Sequence, residues 1–244
     1  MSRWLCAVAL AVVWNAVCPI GQAAEFTPAQ RAEIVSILRD ALKQDPSILR
    51  DAVIALQADD SAKGDEAAKA AIVDSHEQLV TPADPVAGNP SGDVTIVEFF
   101  DTRCPYCRRM EPVMDSFLAQ DKQVRIVFKD LPILGPESLL GTKALLAAQN
   151  QGAYVKMREA VMKLPRDTTL GQLEEAARGL GLDWPRMARD MQDPAVQARI
   201  DANLKLARKI GIQGTPALVI GSDLIPGAID LADLRKAVAQ ARRG

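Results

Sequence analysis

The feature that most constrains this chain is an almost unbroken apolar run, Val94–Phe100, followed shortly by two cysteines spaced by two residues, Cys104-Pro105-Tyr106-Cys107. A run without polar alternation reads as a strand buried on both faces, as in a parallel sheet covered by helices. Cysteines just beyond such a strand fall in the opening turn of the next helix. There, free backbone N–H groups and the positive end of the helix dipole favour a thiolate. A thiol of ordinary pKa, about 8.5, is ~3 % ionised at pH 7, whereas one moved to about 5 is ~99 % ionised. Cys104, at the cap, is therefore expected to be an exposed nucleophile. Cys107, one turn in and more buried, is expected to be the thiol that resolves a mixed disulfide. Pro105 sits where a missing N–H is harmless and its fixed φ suits a first helical turn.

The rest of the chain can be placed around that unit. The run Val124–Lys129 reads as a second strand, so strand, cysteine-bearing helix and strand form a βαβ unit with a parallel sheet. A helical stretch covers residues 136–210. Strands are then expected at Ala217–Ile220 and near Leu224–Pro226, and a last helix at Leu231–Arg242. A βαβ opening, a helical insertion and a ββα closing give an α/β, thioredoxin-like fold with an inserted helical domain. An N-terminal helical extension precedes it. From Pro28 to about His76 apolar residues such as Ile34, Ile37, Leu38, Ala41 and Leu42 recur at three- and four-residue spacing, with a break at Asp45-Pro46. Thr27-Pro28 is a cap and first-turn pair. Ala62–Glu77 reads as a looser, charged helix leading into a Pro- and Gly-rich loop, residues 81–92.

The first residues read as a leader and not as part of the fold. Met1-Ser2-Arg3 is a short positive start, followed by an apolar run from Trp4 to Val17 and small residues up to Ala24. That is the pattern of a secretory signal cut near Ala23 or Ala24, and the run is shorter than the ~20 residues a spanning helix needs. The domains expected are a signal at 1–24, a helical region at 25–80 and the catalytic domain at 81–244, with its insert at about 136–210. Of four cysteines, Cys6 and Cys18 leave with the signal. One remaining pair, closing so short a loop, is a poor structural staple, so its purpose is reactivity. Hydrophobic residues at 48 % supply enough material for a core, and a net charge of −2 gives no reason to expect nucleic acid.

Metal chemistry is the chief competitor for a bare CxxC. Zinc needs four ligands, and the only histidine, His76, lies well upstream in another element. No metal site is therefore assigned, although two thiolates suit Cu(I). Glu98 lies within the apolar strand on the face shared by Val94, Ile96 and Phe100. A buried carboxylate there has a raised pKa and would serve as a proton acceptor for Cys107; the plainer reading is a glutamate reaching solvent at the strand's end. Pro112 interrupts the cysteine-bearing helix, which should kink or stop. Gly214-Thr215-Pro216 precedes the strand Ala217–Ile220. A cis bond there would leave backbone groups free to pair with a substrate strand, whereas a trans bond would make Pro216 an ordinary strand opener.

At these residues the sequence resembles the DsbA family of disulfide enzymes. The matching segments are Val97-Glu98-Phe99-Phe100-Asp101, Cys104–Cys107, Pro112, the run from Phe128 to Gly135 and Gly214-Thr215-Pro216. The resemblance covers roughly residues 86–243. It implies that Pro216 is cis, that the helical insert lies over the active site and that Thr215, Pro216, Pro105 and Tyr106 meet substrate. Within the family the sequence is most similar to the suppressor-of-copper-sensitivity C type, whose members carry CPYC and a helical extension and include oligomeric isomerases. Tyr106 replaces a histidine that helps stabilise the thiolate in DsbA itself, which argues against a strongly oxidising pair. Thr102 and Arg103 carry nothing over.

The stretch Pro28–Leu56 is either packed on its own catalytic domain or an arm joining copies of the chain. An oligomer would hold several CPYC sites around one substrate, which suits isomerisation. The expectation is a periplasmic disulfide isomerase or reductase with no cofactor beyond the Cys104–Cys107 couple. Its partners would be unfolded or wrongly paired exported proteins and a membrane redox partner. A disulfide oxidase and a Cu(I)-buffering thiol protein are the alternatives.

Overall fold

The computed structural model describes residues 26–243, so the expected signal, with Cys6 and Cys18, lies outside the described residues. These residues belong to two compact units that divide at Gln57 and Ala58.

In the first unit, α1 (Pro28–Gln44) opens with a capping box in which the Thr27 side chain accepts from the Gln30 amide and the Gln30 side chain returns the bond. It contains no buried residue. Helix α2 (Ser47–Asp74), whose residues from Ala58 onward belong to the second unit, begins where the Asp45 carboxylate accepts from the Ser47 amide and hydroxyl. It runs unbroken to Asp74, so the separate helix expected from Ala62 is part of α2. Its backbone persists because Ala, the best helix former, dominates that stretch, and a Lys63–Asp59 pair at 2.6 Å bridges one turn.

The second unit holds the sheet. After α3 (His76–Leu79) come β1 (Val86–Gly88), β2 (Val94–Phe100), α4 (Pro105–Gln120) and β3 (Val124–Asp130). Helices α5 (Pro136–Gln149), α6 (Tyr154–Lys163), α7 (Leu170–Gly179), α8 (Trp184–Asp190) and α9 (Pro194–Lys209) make the insert. Strands β4 (Ala217–Ile220) and β5 (Asp223–Pro226) and helix α10 (Leu231–Ala241) close the chain. The strand order is β1-β3-β2-β4-β5. β2 and β3 run parallel, with Val94 opposite Val124 and Phe100 opposite Asp130, while β4 is antiparallel to β2. Strand β1 was not expected in the Pro/Gly-rich loop. It is three residues long and exists through a distant pairing, Val86 with Val127.

Alternate residues of β2 feed two cores. Val94, Ile96 and Phe100 join Met110 and Phe117 of α4, Leu145, Met157 and Val161 of the insert, and Leu234 and Val238 of α10. Val97 and Phe99 join Ile72 of α2, Leu79 of α3, Leu206, Ile210 and Ile212. A buried ion pair, Lys129 Nζ to Asp84 Oδ2 at 2.7 Å, ties the turn after α3 to β3, and the same ammonium donates to the Gln78 carbonyl. No helix among the described residues is long and apolar enough to cross a membrane.

Candidate active site

Strand β2 delivers the chain into a short loop that Asp101 holds in place. Its buried carboxylate accepts from the amides of Arg103, Ile133 and Leu134 and from the Ser138 hydroxyl, joining the loop before Cys104 to the loop after β3. Arg103 adds a second brace: its guanidinium bonds the carbonyls of Leu134 and Arg166 and pairs with Glu137 at 2.9 Å. The family resemblance carried nothing over to Arg103. The structure gives it a bracing role of its own, with partners 31 and 63 positions away. Arg108, one turn into α4, donates to the Thr102 and Leu164 carbonyls.

Cys104 is the N-cap of α4 with extended backbone, and Pro105 takes the first helical position. Helix α4 continues through Pro112 to Gln120. Cys104 and Cys107 are both free thiols. Cys104 was expected to be exposed, yet it is only 3 % exposed. The reason lies across the site: Cys104 Sγ sits 3.1 Å from the Thr215 carbonyl, to which its protonated form donates, and the Thr215–Pro216 peptide bond is cis. Tyr106 is exposed, with the Arg109 guanidinium 4.3 Å from its ring centre.

The two thiols differ sharply. Cys104 is lowered to about 5, first by hydrogen bonding from Cys107, then by side-chain bonding from Thr215 and the amides of Cys107 and Tyr106, against a desolvation cost. Cys107 is pushed far up, chiefly by burial and then by its bond to Cys104, with the charge of Glu98 acting in the same direction. At neutral pH the pair therefore consists of one thiolate and one thiol.

Beneath the pair, Glu98 is fully buried and does not reach solvent. Its Oε2 accepts from Arg158 at 2.9 Å, and the same guanidinium meets Glu111 of α4 at 2.6 Å. Burial raises the Glu98 carboxyl to about 7, partly opposed by Arg158. Sequence reasoning missed Arg158, although a signal existed: it shares the helical stripe of Tyr154, Met157 and Val161, all buried. Among the described residues no group of three or more His, Cys, Asp or Glu side chains could hold a metal ion.

One sulfur held as its anion beside another held neutral, on a thioredoxin-type sheet, is the equipment of a thiol–disulfide oxidoreductase. The chain belongs to the DSBA-like thioredoxin domain family, which residues 95–239 match, and residues 30–63 match the copper resistance protein ScsC N-terminal domain. A thioredoxin-like oxidoreductase from Silicibacter pomeroyi is 40 % identical, covers 69 % of this chain and 98 % of its own, and superposes with a TM-score of 0.66. A linker-deletion variant of Proteus mirabilis ScsC is 28 % identical over 90 % of this chain and 98 % of its own, with a TM-score of 0.65. Among curated sequences, the Na(+)/H(+) antiporter NhaA 3 of Salinispora tropica is 29 % identical over 67 % of this chain. The chain spans about a quarter of the length of the antiporters it matches.

Proposed function

We propose that this protein is an exported, periplasmic enzyme that rearranges or reduces disulfides in unfolded or wrongly paired proteins. The observation that carries this reading is the division of labour between Cys104, lowered to about 5, and Cys107, held neutral. The Cys104 thiolate attacks one sulfur of a client disulfide. The client S–S bond breaks, the departing client sulfur leaves as a thiolate and takes a proton from water, and a mixed disulfide remains. In isomerisation a second client thiolate attacks the client sulfur of that bond and returns Cys104 as its thiolate, with no net electron change. In reduction Cys107 loses its proton, with Glu98 as acceptor, and attacks Cys104. The client leaves reduced by two electrons, Cys104–Cys107 becomes a disulfide, and a membrane dithiol partner resets it.

Rearrangement is favoured over oxidation by the N-terminal unit. Ile37 and Leu38 of α1 are 61 % and 57 % exposed, and Ile48, Leu49, Val53 and Leu56 of α2 are also open to solvent. Such a face suits an arm that joins copies of the chain, gathering several reactive pairs around one client and raising their effective concentration. Sedimentation of the mature protein should give an oligomer, and scrambled ribonuclease should be reactivated. A monomer that fails to reactivate it would sink the isomerase reading in favour of an oxidase. The Cys107→Ser variant should trap clients through Cys104; loss of tight Cu(I) binding with no trapped client would instead indicate a copper buffer.

A further inference from the structure

We infer that a rim of arginines around Cys104, formed by Arg103, Arg108, Arg109 and Arg166, selects clients that carry an acidic residue close to the attacked disulfide. The inference rests on the exchange activity proposed above and names the substrate class of that same site.

Arg103 immediately precedes Cys104, Arg108 and Arg109 lie one turn into α4, and Arg166 comes from the loop between α6 and α7. The fold gathers them. The Arg103 guanidinium donates to the Arg166 carbonyl at 2.8 Å, and Arg108 donates to the carbonyl of Thr102, just before Cys104, at 3.0 Å. The Arg109 guanidinium lies 4.3 Å from the ring centre of Tyr106, between the two cysteines. The charges are close enough to act on one another. Burial holds the Arg108 guanidinium below its usual pKa, the charge of Arg166 adds to this, and the Cys104 thiolate opposes it.

Bonds to carbonyls satisfy N–H groups but leave the positive charge in place. Arg103 has a carboxylate partner, Glu137 at 2.9 Å. Among the described residues no ion pair is made by Arg108, Arg109 or Arg166, and Asp167 follows Arg166 in the chain without pairing to it. In a chain whose formal charge is −2, the rim is a local inversion of sign. The anion that faces it is the Cys104 thiolate.

That counter-charge is temporary. On attack, the thiolate electron pair forms the bond to the client sulfur, the client S–S bond breaks, and the negative charge departs with the leaving client sulfur. The mixed disulfide then faces Arg108, Arg109 and Arg166 without an anion. A carboxylate on the client, within a few residues of its cysteine, restores the balance, and at longer range the same rim draws an acidic segment in. Arg109 and Arg166 are exposed and meet that carboxylate, whereas Arg103 and Arg108 are held by their carbonyls.

The test gives the full mature protein three disulfide-linked peptides, identical except for Glu, Gln or Lys two positions from the cysteine. At about 0.01 M salt, where charges act over ~30 Å, exchange with the Glu peptide should be about tenfold faster than with the Lys peptide, the Gln peptide falling between them. At about 1 M salt, with a reach of ~3 Å, the ratio should fall toward one. A thiolate without the rim would order the peptides the other way, so equal rates at low salt or a faster Lys peptide would overturn the inference. If the wild-type protein exchanges with none of the peptides, the exchange reading itself fails. This salt series needs no variant to fold. Arg109→Gln combined with Arg166→Gln should bring the low-salt ratio close to one. Lys122→Gln removes a positive charge at the far end of α4, about 24 Å along the helix from Cys104, and should keep the wild-type ratio. A double variant that keeps that ratio, or a Lys122→Gln variant that loses it, would show that the rim does not select the client.

Discussion

Arg158 of α6 bonds Glu98 of β2 at 2.9 Å in the core beneath the cysteine pair, with its guanidinium carbon 4.3 Å and 4.2 Å from the ring centres of Phe100 and Phe128. The contact joins the helical insert to the strand that delivers Cys104, and Glu111 of α4 completes it. One cation thus serves two carboxylates and two aromatic faces on three elements. Its removal would strand buried negative charge, the costly case for an ion pair.

Arg158→Met should therefore destabilise the protein by about 3–5 kcal/mol, read as a shift of the urea midpoint. The loss should be larger at pH 8 than at pH 5, because Glu98 is largely protonated at the lower pH and no longer needs the cation. Arg158→Lys should recover part of it, since a lysine keeps the charge but not the planar fork that reaches both carboxylates. An equal loss at both pH values would show that packing, not charge, holds the residue.

The Glu98 carboxyl also sets a pH dependence whose sign can be worked out. Burial raises its folded value from 4.5 to about 7. The folded state then keeps a proton that the unfolded chain has released. This contribution to stability is fully present below pH 4.5 and is lost as pH rises to 7, on the order of 3 kcal/mol in all. Glu98→Gln should flatten the stability profile across that window. Asp130, buried beside Tyr154 and raised from 3.8 to about 6, acts in the same direction between those values, so Asp130→Asn should flatten the lower part. A Glu98→Gln profile parallel to wild type would refute the assignment.

For the reduced enzyme, alkylation by iodoacetamide should modify Cys104 at a rate that is half-maximal near pH 5 and level above neutrality. Below that point the rate should fall about tenfold per pH unit, because only the thiolate reacts. Cys107, pushed up by burial, should remain unmodified across the range. Thr215→Val removes a side-chain bond that favours the thiolate and should move the midpoint upward. An unchanged midpoint would leave the bond from Cys107 and the helix amides as the whole cause.

These effects were unevenly legible in the sequence. Strand β2 and the cysteine cap follow from an apolar run and from helix-end chemistry, both properties of neighbouring residues. The fold class could be read from the order of such segments. Strand β1 could not, because three residues in a turn-rich stretch become a strand only through their pairing with β3. The burial of Cys104 was hidden for the same reason: Thr215, which covers it, lies 111 residues further along. Arg103 and Arg158 read as ordinary charges because their partners are distant in sequence. Only the helical stripe around Arg158 offered a local sign.

Two helical glycines that look alike in sequence should respond to alanine with opposite signs. A Cβ on Gly141 of α5 would lie 2.6 Å from the Thr102 hydroxyl oxygen, with the Thr102 Cβ and Cγ2 close behind at 3.3 and 3.4 Å. Thr102 is buried beside Cys104 and its carbonyl accepts from Arg108, so it has little freedom to retreat. Gly141→Ala should cost about 1–3 kcal/mol, as overpacking does, and should perturb Cys104 reactivity because the strain falls on the neighbouring residue. Gly64 of α2 is exposed, and a Cβ there meets nothing within 4 Å. Gly64→Ala should stabilise by up to about 1 kcal/mol through helix propensity alone, with Cys104 alkylation unchanged. Thermal melts and alkylation rates on the two variants would decide it: if both glycines tolerate alanine equally, the close approach of α5 to the Thr102 loop does not constrain the site.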